Sequence, residues 1–358
     1  MKTNKIMKSK VAFLKTGVLG KPLILALFIA TLALNPAFAQ RGGRSSGGAV
    51  EVKLASPLPR SSAWGVTLDK LAAEWEKTTR GEVRMRVIHD GMEGGESQML
   101  KSVSANNIQA AIFTSFGLTA VCPAVMTLSV PFYIQDNKEL DLVLNEVQPI
   151  LERQVEKTDY FVIAWSRADW VYIFSKDPVF IPDDLRRMKI ATNAEAKDLN
   201  AAFTEMNFQL VETDLTDVGT KLKAGAISAL YQSPAAVAPA RLHTDLKNMM
   251  DTPIAPFMGG IVINKVTWNR ISPQNQNAIL RVTRRIASEF DSSMAKTVAN
   301  AISTMTKSGL VVNRLSASQK NAWRDDVQRS TPKLLGTAFD REVYQKMGEI
   351  LTKYRAGK

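Results

Sequence analysis

Residues able to do covalent chemistry are few in this chain and poorly placed for it. The acidic pairs Asp183–Asp184 and Asp325–Asp326 are adjacent, so on regular structure their side chains diverge. General acid–base work needs two such groups converging on one bond. Each pair reads more simply as a helix-start charge or a solvated surface. The only imidazoles are His89 and His243 and the only thiol is Cys122, which gives no metal-ligand spacing and no internal disulfide. No GxSxG elbow, P-loop, HExxH or post-strand GxGxxG occurs. The expectation is a protein without catalysis, metal or cofactor.

What remains is the chemistry of recognition. Gly94 and Gly95 in HDGMEGGESQML precede a helical pattern, leaving backbone N–H groups that could face an anion or a ligand's polar group; a plain turn and helix start is the other reading. Trp170 and Tyr172 flank a strand entry in SRADWVYIFSK, and Tyr231 closes another in SALYQSP. Strand ends are where open α/β sheets place ligands, although buried core aromatics would look the same. The stretch DDLRRMKIATNAEA, residues 183–196, sets a basic cluster before a short apolar strand that ends in small and polar residues.

The elements that must position these residues follow from periodicity. Alternating Val52 and Leu54, then Leu68, Leu71, Ala72 and Trp75 at helical spacing, then alternating Val83, Met85 and Val87 give strand, helix, strand. Further helices are expected over 94–106 and within 130–158, and strands over 109–115, 160–165, 171–176, 188–192, 208–213, 227–233 and 259–265. Strands separated by helices indicate an α/β class with mainly parallel pairing. From Ser272, a plausible N-cap followed by Pro273, one apolar face holds until Gly309. That helix would run about 54 Å, long enough to be the spine of two lobes. Two more helical patterns complete the tail.

At 358 residues, with 45% hydrophobic and 22% charged residues, the chain is long enough for two lobes with proper cores. Six lysines and no acids precede the apolar run Pro22–Leu34, and Ala37 and Ala39 then stand before Gln40. This is the order of a cleaved secretory signal peptide, the run being short of the roughly 20 residues that span a bilayer. Residues 40–48 read as a flexible tether. Removing the leader's six lysines lowers the formal net charge from +12 to +6. With no basic stripe interleaved with aromatics, nucleic-acid binding is not expected.

The order of segments resembles the substrate-binding proteins of TRAP transporters, the DctP-like family, from about Val52 to Lys307. The resemblance rests on HDGMEGGESQMLKSVSANNIQAAIFTS, LSVPFYIQDNKELDLVLN, SKDPVFIPDDLRRMKIAT and DLTDVGTKLKAGAISALYQSP, in that order. It implies two α/β lobes, a periplasmic-binding-protein fold with crossing strands and a long bridging helix, closing on a small molecule. It places a first lobe over 49–166, a second over 167–252, a return over 253–292, and the C-terminal helices of 293–358 on the second lobe. The implied partners are a small-molecule ligand and the small and large integral membrane subunits of a TRAP transporter, and the implied location is the periplasm.

The resemblance also implies an arginine, pairing with a substrate carboxylate, at the position that holds Ala191 here. A second family arginine falls on Val171, with Arg167 four residues off in register, and the family's Asp-Gly turn is replaced by Ser228 and Ala229. A guanidinium's bidentate grip on a carboxylate has no alanine substitute. The expectation is therefore a relatively apolar ligand gripped by Trp64, Phe116, Trp170, Tyr172, Leu215, Tyr231 and Phe257 beside Ala191, and oriented by Ser115, Asn193 and Gln232. The alternative is a periplasmic sensor or adaptor that passes its ligand to another periplasmic protein without direct transport.

Overall fold

The computed structural model describes residues 48–194, 196–213 and 217–357. The expected signal peptide and all but the last residue of the tether lie outside them. The first lobe opens with β1 (Val50–Ala55), α1 (Ala63–Thr78), β2 (Val83–Ile88), α2 (Glu96–Ser104), β3 (Ala110–Thr114), α3 (Ser115–Thr119), a 3-10 segment (Pro123–Ser129) and α4 (Asn137–Glu156). Alternation turns Val52, Leu54, Val83 and Met85 onto the stripe Leu68, Leu71 and Trp75 of α1. Ser62 starts that helix by accepting a hydrogen bond from the Gly65 N–H.

The long β4 (Tyr160–Ser175) then crosses to the second lobe, built from α5 (Pro182–Arg186), β5 (Lys189–Thr192), α6 (Lys197–Glu205), β6 (Gln209–Glu212), α7 (Val218–Lys223), β7 (Ala229–Gln232), α8 (Pro234–Val237) and β8 (Asn248–Met250). β9 (Ala255–Asn264) returns. The chain ends with α9 (Lys265–Trp268), α10 (Pro273–Lys307), β10 (Val311–Asn313), α11 (Ala317–Ser330) and α12 (Arg341–Ala356). The strand order is β2-β1-β3-β9-β4-β7-β5-β6, with β8 beside β4 and β10 beside β8.

Three expectations change. The pairing is mixed: β2-β1-β3 and β6-β5-β7 are parallel, but β9 is antiparallel to β3 and β4, and β4 is antiparallel to β7. A strand that leaves one sheet and a strand that comes back must run in opposite senses. The two strands expected over 160–176 are one, because β4 pairs with β9 over Tyr160–Val171 and with β7 from Tyr172 on. The last helix does not sit on the second lobe: Val343, Met347 and Leu351, one turn apart, join the core around Val143, Val147 and Leu151 of α4.

The spine is present. Ser272 caps α10, whose 35 residues extend about 52 Å. Its first half buries Ile279, Val282 and Ile286 in the first lobe's core, where Trp75 Nε1 also donates to Thr283 Oγ1 at 3.0 Å; its last turns bury Met305 beside Phe174 and Leu222 of the second lobe.

Where β4 passes between the lobes, Asp169 ties it down. Its carboxylate accepts from the Trp170 N–H at 2.7 Å and from the Ser233 hydroxyl at the start of α8. Burial is the largest influence on this carboxyl and pushes it up to about 6, against an ordinary 3.8, while the two hydrogen bonds pull the other way. A raised acid favours the fold fully below its unfolded value and loses that contribution as pH climbs through the folded one. Relative to Asp169→Asn, the wild type should lose on the order of 2 kcal/mol between about pH 4 and about pH 7. Urea denaturation of both proteins across that range checks it; parallel stability profiles would contradict the burial of this charge.

Candidate ligand-binding cleft

Between the lobes lies a cleft of about 370 Å³, within the range of small-molecule sites. Its floor is the crossing ladder, Val171 on β4 and Ala255, Pro256 and Phe257 on β9. The first-lobe wall is Pro57, Gly95, Glu96, Thr114, Ser115, Phe116, Met126 and Ser129. The second-lobe wall brings Ala191 and Thr192 from the end of β5, Asn193 after it, Leu230, Tyr231 and Gln232 from β7, and Leu199, Thr213, Val218 and Leu242 around them.

Several of these groups are held by the fold itself. Glu96 accepts from the Thr114 N–H at 2.9 Å, the Thr114 hydroxyl at 3.0 Å and the Gly117 N–H at 2.6 Å, so its carboxylate organises the start of α3. A Cβ at Gly117 would stand 2.3 Å from Glu96 Oε2, which is why that position has no side chain. The Ser115 hydroxyl donates to the Met258 carbonyl at 3.1 Å and accepts from the Met258 N–H at 3.2 Å, stapling the first-lobe wall to β9.

On the opposite wall Thr192 donates to Asn200 Oδ1 and lies 3.4 Å from the Tyr231 hydroxyl, and Asn200 Nδ2 donates to the Asn193 carbonyl at 2.9 Å. Tyr231 packs edge-on against Phe203, and burial pushes its phenol up, so it stays neutral. Gln232 Oε1 accepts from the Ser233 N–H at 2.8 Å, which leaves its amide N–H groups as donors. Among the described residues the lining holds no lysine, arginine or histidine.

The cleft brings together Ser115, Phe116, Ala191, Asn193, Tyr231, Gln232 and Phe257 of the expected set, and adds Val171. Three aromatics are placed elsewhere. Trp170 and Tyr172 flank Val171 on the strand, so the pleat sends them to the other face. Trp170 Nε1 donates to Asn137 Oδ1 at 2.7 Å, and Tyr172 packs on the second-lobe core. Trp64 lies on α1 with its ring 4.0 Å from that of Phe290, beside a separate cavity of about 40 Å³. Leu215 falls outside the described residues.

Arg167, near in register to the arginine that the resemblance implies at Val171, does not line the cleft and is held by Asp141 and Asp291. Ser228 and Ala229 stand at the opposite end of β7 from Gln232, where Ser228 Oγ accepts from the Lys189 N–H at 3.2 Å, so the exchanged turn does not reach the cleft. Sequence reasoning missed Glu96, Thr192 and the Pro256 floor. A glycine pair feeding a glutamate, and the residue between Ala191 and Asn193, were the available signals.

The sequence profile described as "Bacterial extracellular solute-binding protein, family 7" (DctP) matches residues 54–336. The 2,3-diketo-L-gulonate-binding periplasmic protein of Escherichia coli K12 is 25% identical over 289 residues, covering 80% of this chain and 86% of that one. A TRAP periplasmic solute-binding protein of Ochrobactrum anthropi, solved with a C-terminus in its ligand pocket, superposes with a TM-score of 0.79 at 17% identity, covering 87% of this chain and 97% of that one. Another from Chromohalobacter salexigens, solved with bound D-glucuronate, gives 0.75 at 18% identity, covering 84% and 98%. With a cleft between two lobes joined by crossing strands, and a family profile matching most of its length, this chain belongs to the DctP family of bacterial extracellular solute-binding proteins, family 7.

Proposed function

We propose that this protein is the periplasmic receptor of a TRAP-type transporter, delivering its ligand to a small and a large membrane subunit. Its ligand is a small amphipathic solute whose polar end is held by neutral hydrogen-bonding groups instead of an arginine. The carrying observation is the chemistry of the cleft: both positions where the resemblance implies arginine, Ala191 and Val171, line it, and among the described residues no other cation does. Tyr231, Thr192, Asn193 and Gln232 supply neutral polar atoms on one wall, and Phe116, Met126 and Phe257 supply apolar surface facing them.

The ligand expectation is narrowed by this placement. The D-glucuronate of the Chromohalobacter protein is a charged acid, so it lends no support to a hydrophobic ligand. With Trp64, Trp170 and Tyr172 outside the cleft, the aromatic cage is smaller than the sequence suggested. Closing the lobes on such a solute shifts the population toward the form the membrane subunits recognise.

Two outcomes test this reading. Ala191→Arg should place a guanidinium in the cleft and raise affinity for D-glucuronate or succinate by about tenfold or more, the worth of one charge-assisted pair. Titration calorimetry on wild type and variant reads it, and a wild type that already binds these acids tightly and gains nothing would contradict the neutral grip. Affinity capture from solubilised membranes of the native host should retain two integral membrane subunits, one small and one large; recovery of soluble partners alone would favour the sensor or adaptor alternative.

A further inference from the structure

The polar side chains of the cleft have hydrogen-bond directions as well as positions. A serine or threonine hydroxyl carries a single hydrogen, and in this lining those hydrogens are already donated within the protein. Thr114 donates to Glu96 Oε2 at 3.0 Å and Ser115 to the Met258 carbonyl at 3.1 Å. Ser129 donates to the Pro256 carbonyl at 3.4 Å and Thr213 to the Val211 carbonyl at 2.9 Å. A hydroxyl whose hydrogen is committed has only lone pairs left for a ligand.

Thr192 follows the same rule, and the residue that imposes it lies behind the wall. Asn200, on α6, does not line the cleft. Its Nδ2 donates to the Asn193 carbonyl at 2.9 Å, which turns Oδ1 toward Thr192, and the Thr192 hydroxyl donates to that oxygen. The 3.4 Å contact between Thr192 Oγ1 and the Tyr231 hydroxyl can then run in one direction only, with the phenol as donor. The edge-on ring of Phe203 holds the phenol in place. Tyr231 therefore keeps only a lone pair for a ligand.

Gln232, the next residue along β7, is the opposite case. Its Oε1 accepts from the Ser233 N–H at 2.8 Å, which fixes the orientation of the amide and leaves both hydrogens of Nε2. That nitrogen makes no hydrogen bond among the described residues, and those residues do not bury it. A ligand end that answers this strand end must bring an N–H for Tyr231 and an oxygen for Gln232, side by side. A carboxylate or an ester brings acceptors alone, and an ammonium brings donors alone. A primary carboxamide brings both without a charge.

We propose that the cleft takes a small carboxamide with an apolar body. Its carbonyl sits on Gln232 Nε2, its amide N–H on Tyr231 Oη, and its body against Phe116, Met126 and Phe257. Asn200 is a positioning residue that sets the direction of the phenol through Thr192. This ligand class rests on the reading of the cleft as a binding site without a cation.

The test is titration calorimetry of the full mature protein with four compounds of one shape: benzamide, methyl benzoate, benzoate and benzylamine. Benzamide should bind at millimolar concentration, and each of the others at least about tenfold more weakly. Gln232→Glu keeps an oxygen for the Ser233 N–H but replaces the Nε2 hydrogens by a second oxygen. It should weaken benzamide by about tenfold and strengthen benzylamine. Asn200→Leu releases the Thr192 hydrogen, so benzoate should gain on benzamide; an equal loss for all four compounds overturns the positioning role. Methyl benzoate or benzylamine binding as tightly as benzamide overturns the carboxamide and leaves the cation-free grip standing, whereas benzoate binding tightest overturns both. No heat from any of the four, or a benzamide affinity that survives Gln232→Glu, also overturns the carboxamide.

Discussion

The antiparallel ladder between β4 and β9 is the constraint on which the rest of the molecule depends. Among the described residues β4 alone is hydrogen-bonded into both sheets, and β9 runs beside it from Val171 back to Tyr160. The two strands must therefore lie close, and β9 is also gripped by β3 on its far side. A Cβ at Gly259 would meet the Phe113 carbonyl at 3.1 Å, and one at Gly260 the Ala164 carbonyl at 3.1 Å. The bare backbone at those two positions lets three strands pack where the sheet begins to divide. Pro256, which has no N–H to offer, sits further along, where β3 no longer pairs with β9. The floor of the cleft is thus made of backbone already committed to holding the lobes together.

That commitment separates the residues that maintain the cleft from those that read a ligand. Glu96 and Ser115 face it, yet both are occupied with backbone groups of α3 and β9. Ala191 and Val171 project from strands held at those positions by main-chain ladders, Ala191 lying opposite Val211 and Leu230 in register and Val171 opposite Ala255. A change of side chain there alters what the cleft recognises and leaves the ladder untouched. A side chain at either position can therefore be exchanged without rebuilding the scaffold.

The same geometry explains what the sequence made legible. The strand and helix order, the Ser272 cap and the length of α10 follow from local periodicity and chain chemistry, and all are present. The antiparallel crossing is not local: nothing in YFVIAW or GGIVINK says which way its partner runs. The aromatic misplacement has a sharper cause. Trp170 and Tyr172 were both expected in the cleft, but a pleated strand shows alternate residues to opposite faces, so the presence of Val171 between them in the lining excludes both. Thr114, Ser129, Thr192 and Thr213 line the wall with short polar side chains that carry no periodic signature. Only the folded chain brings them together.

On the proposed reading, a cleft lined this way selects by geometry more than by charge. An anion entering it would give up water, find the Glu96 carboxylate on one wall and meet no cation among the described residues to offset the loss. Neutral hydrogen bonds each contribute only about 1 kcal/mol, so several must be made at once for the ligand to stay. The Thr192–Asn200 and Asn200–Asn193 links hold that wall's polar groups in fixed positions, and the ring of Phe203 fixes the phenol of Tyr231 from behind. Preorganisation of this kind removes the entropy cost that would otherwise consume such small gains. With no cation in the lining among the described residues, the burden of recognition falls on the rigidity of the second-lobe wall.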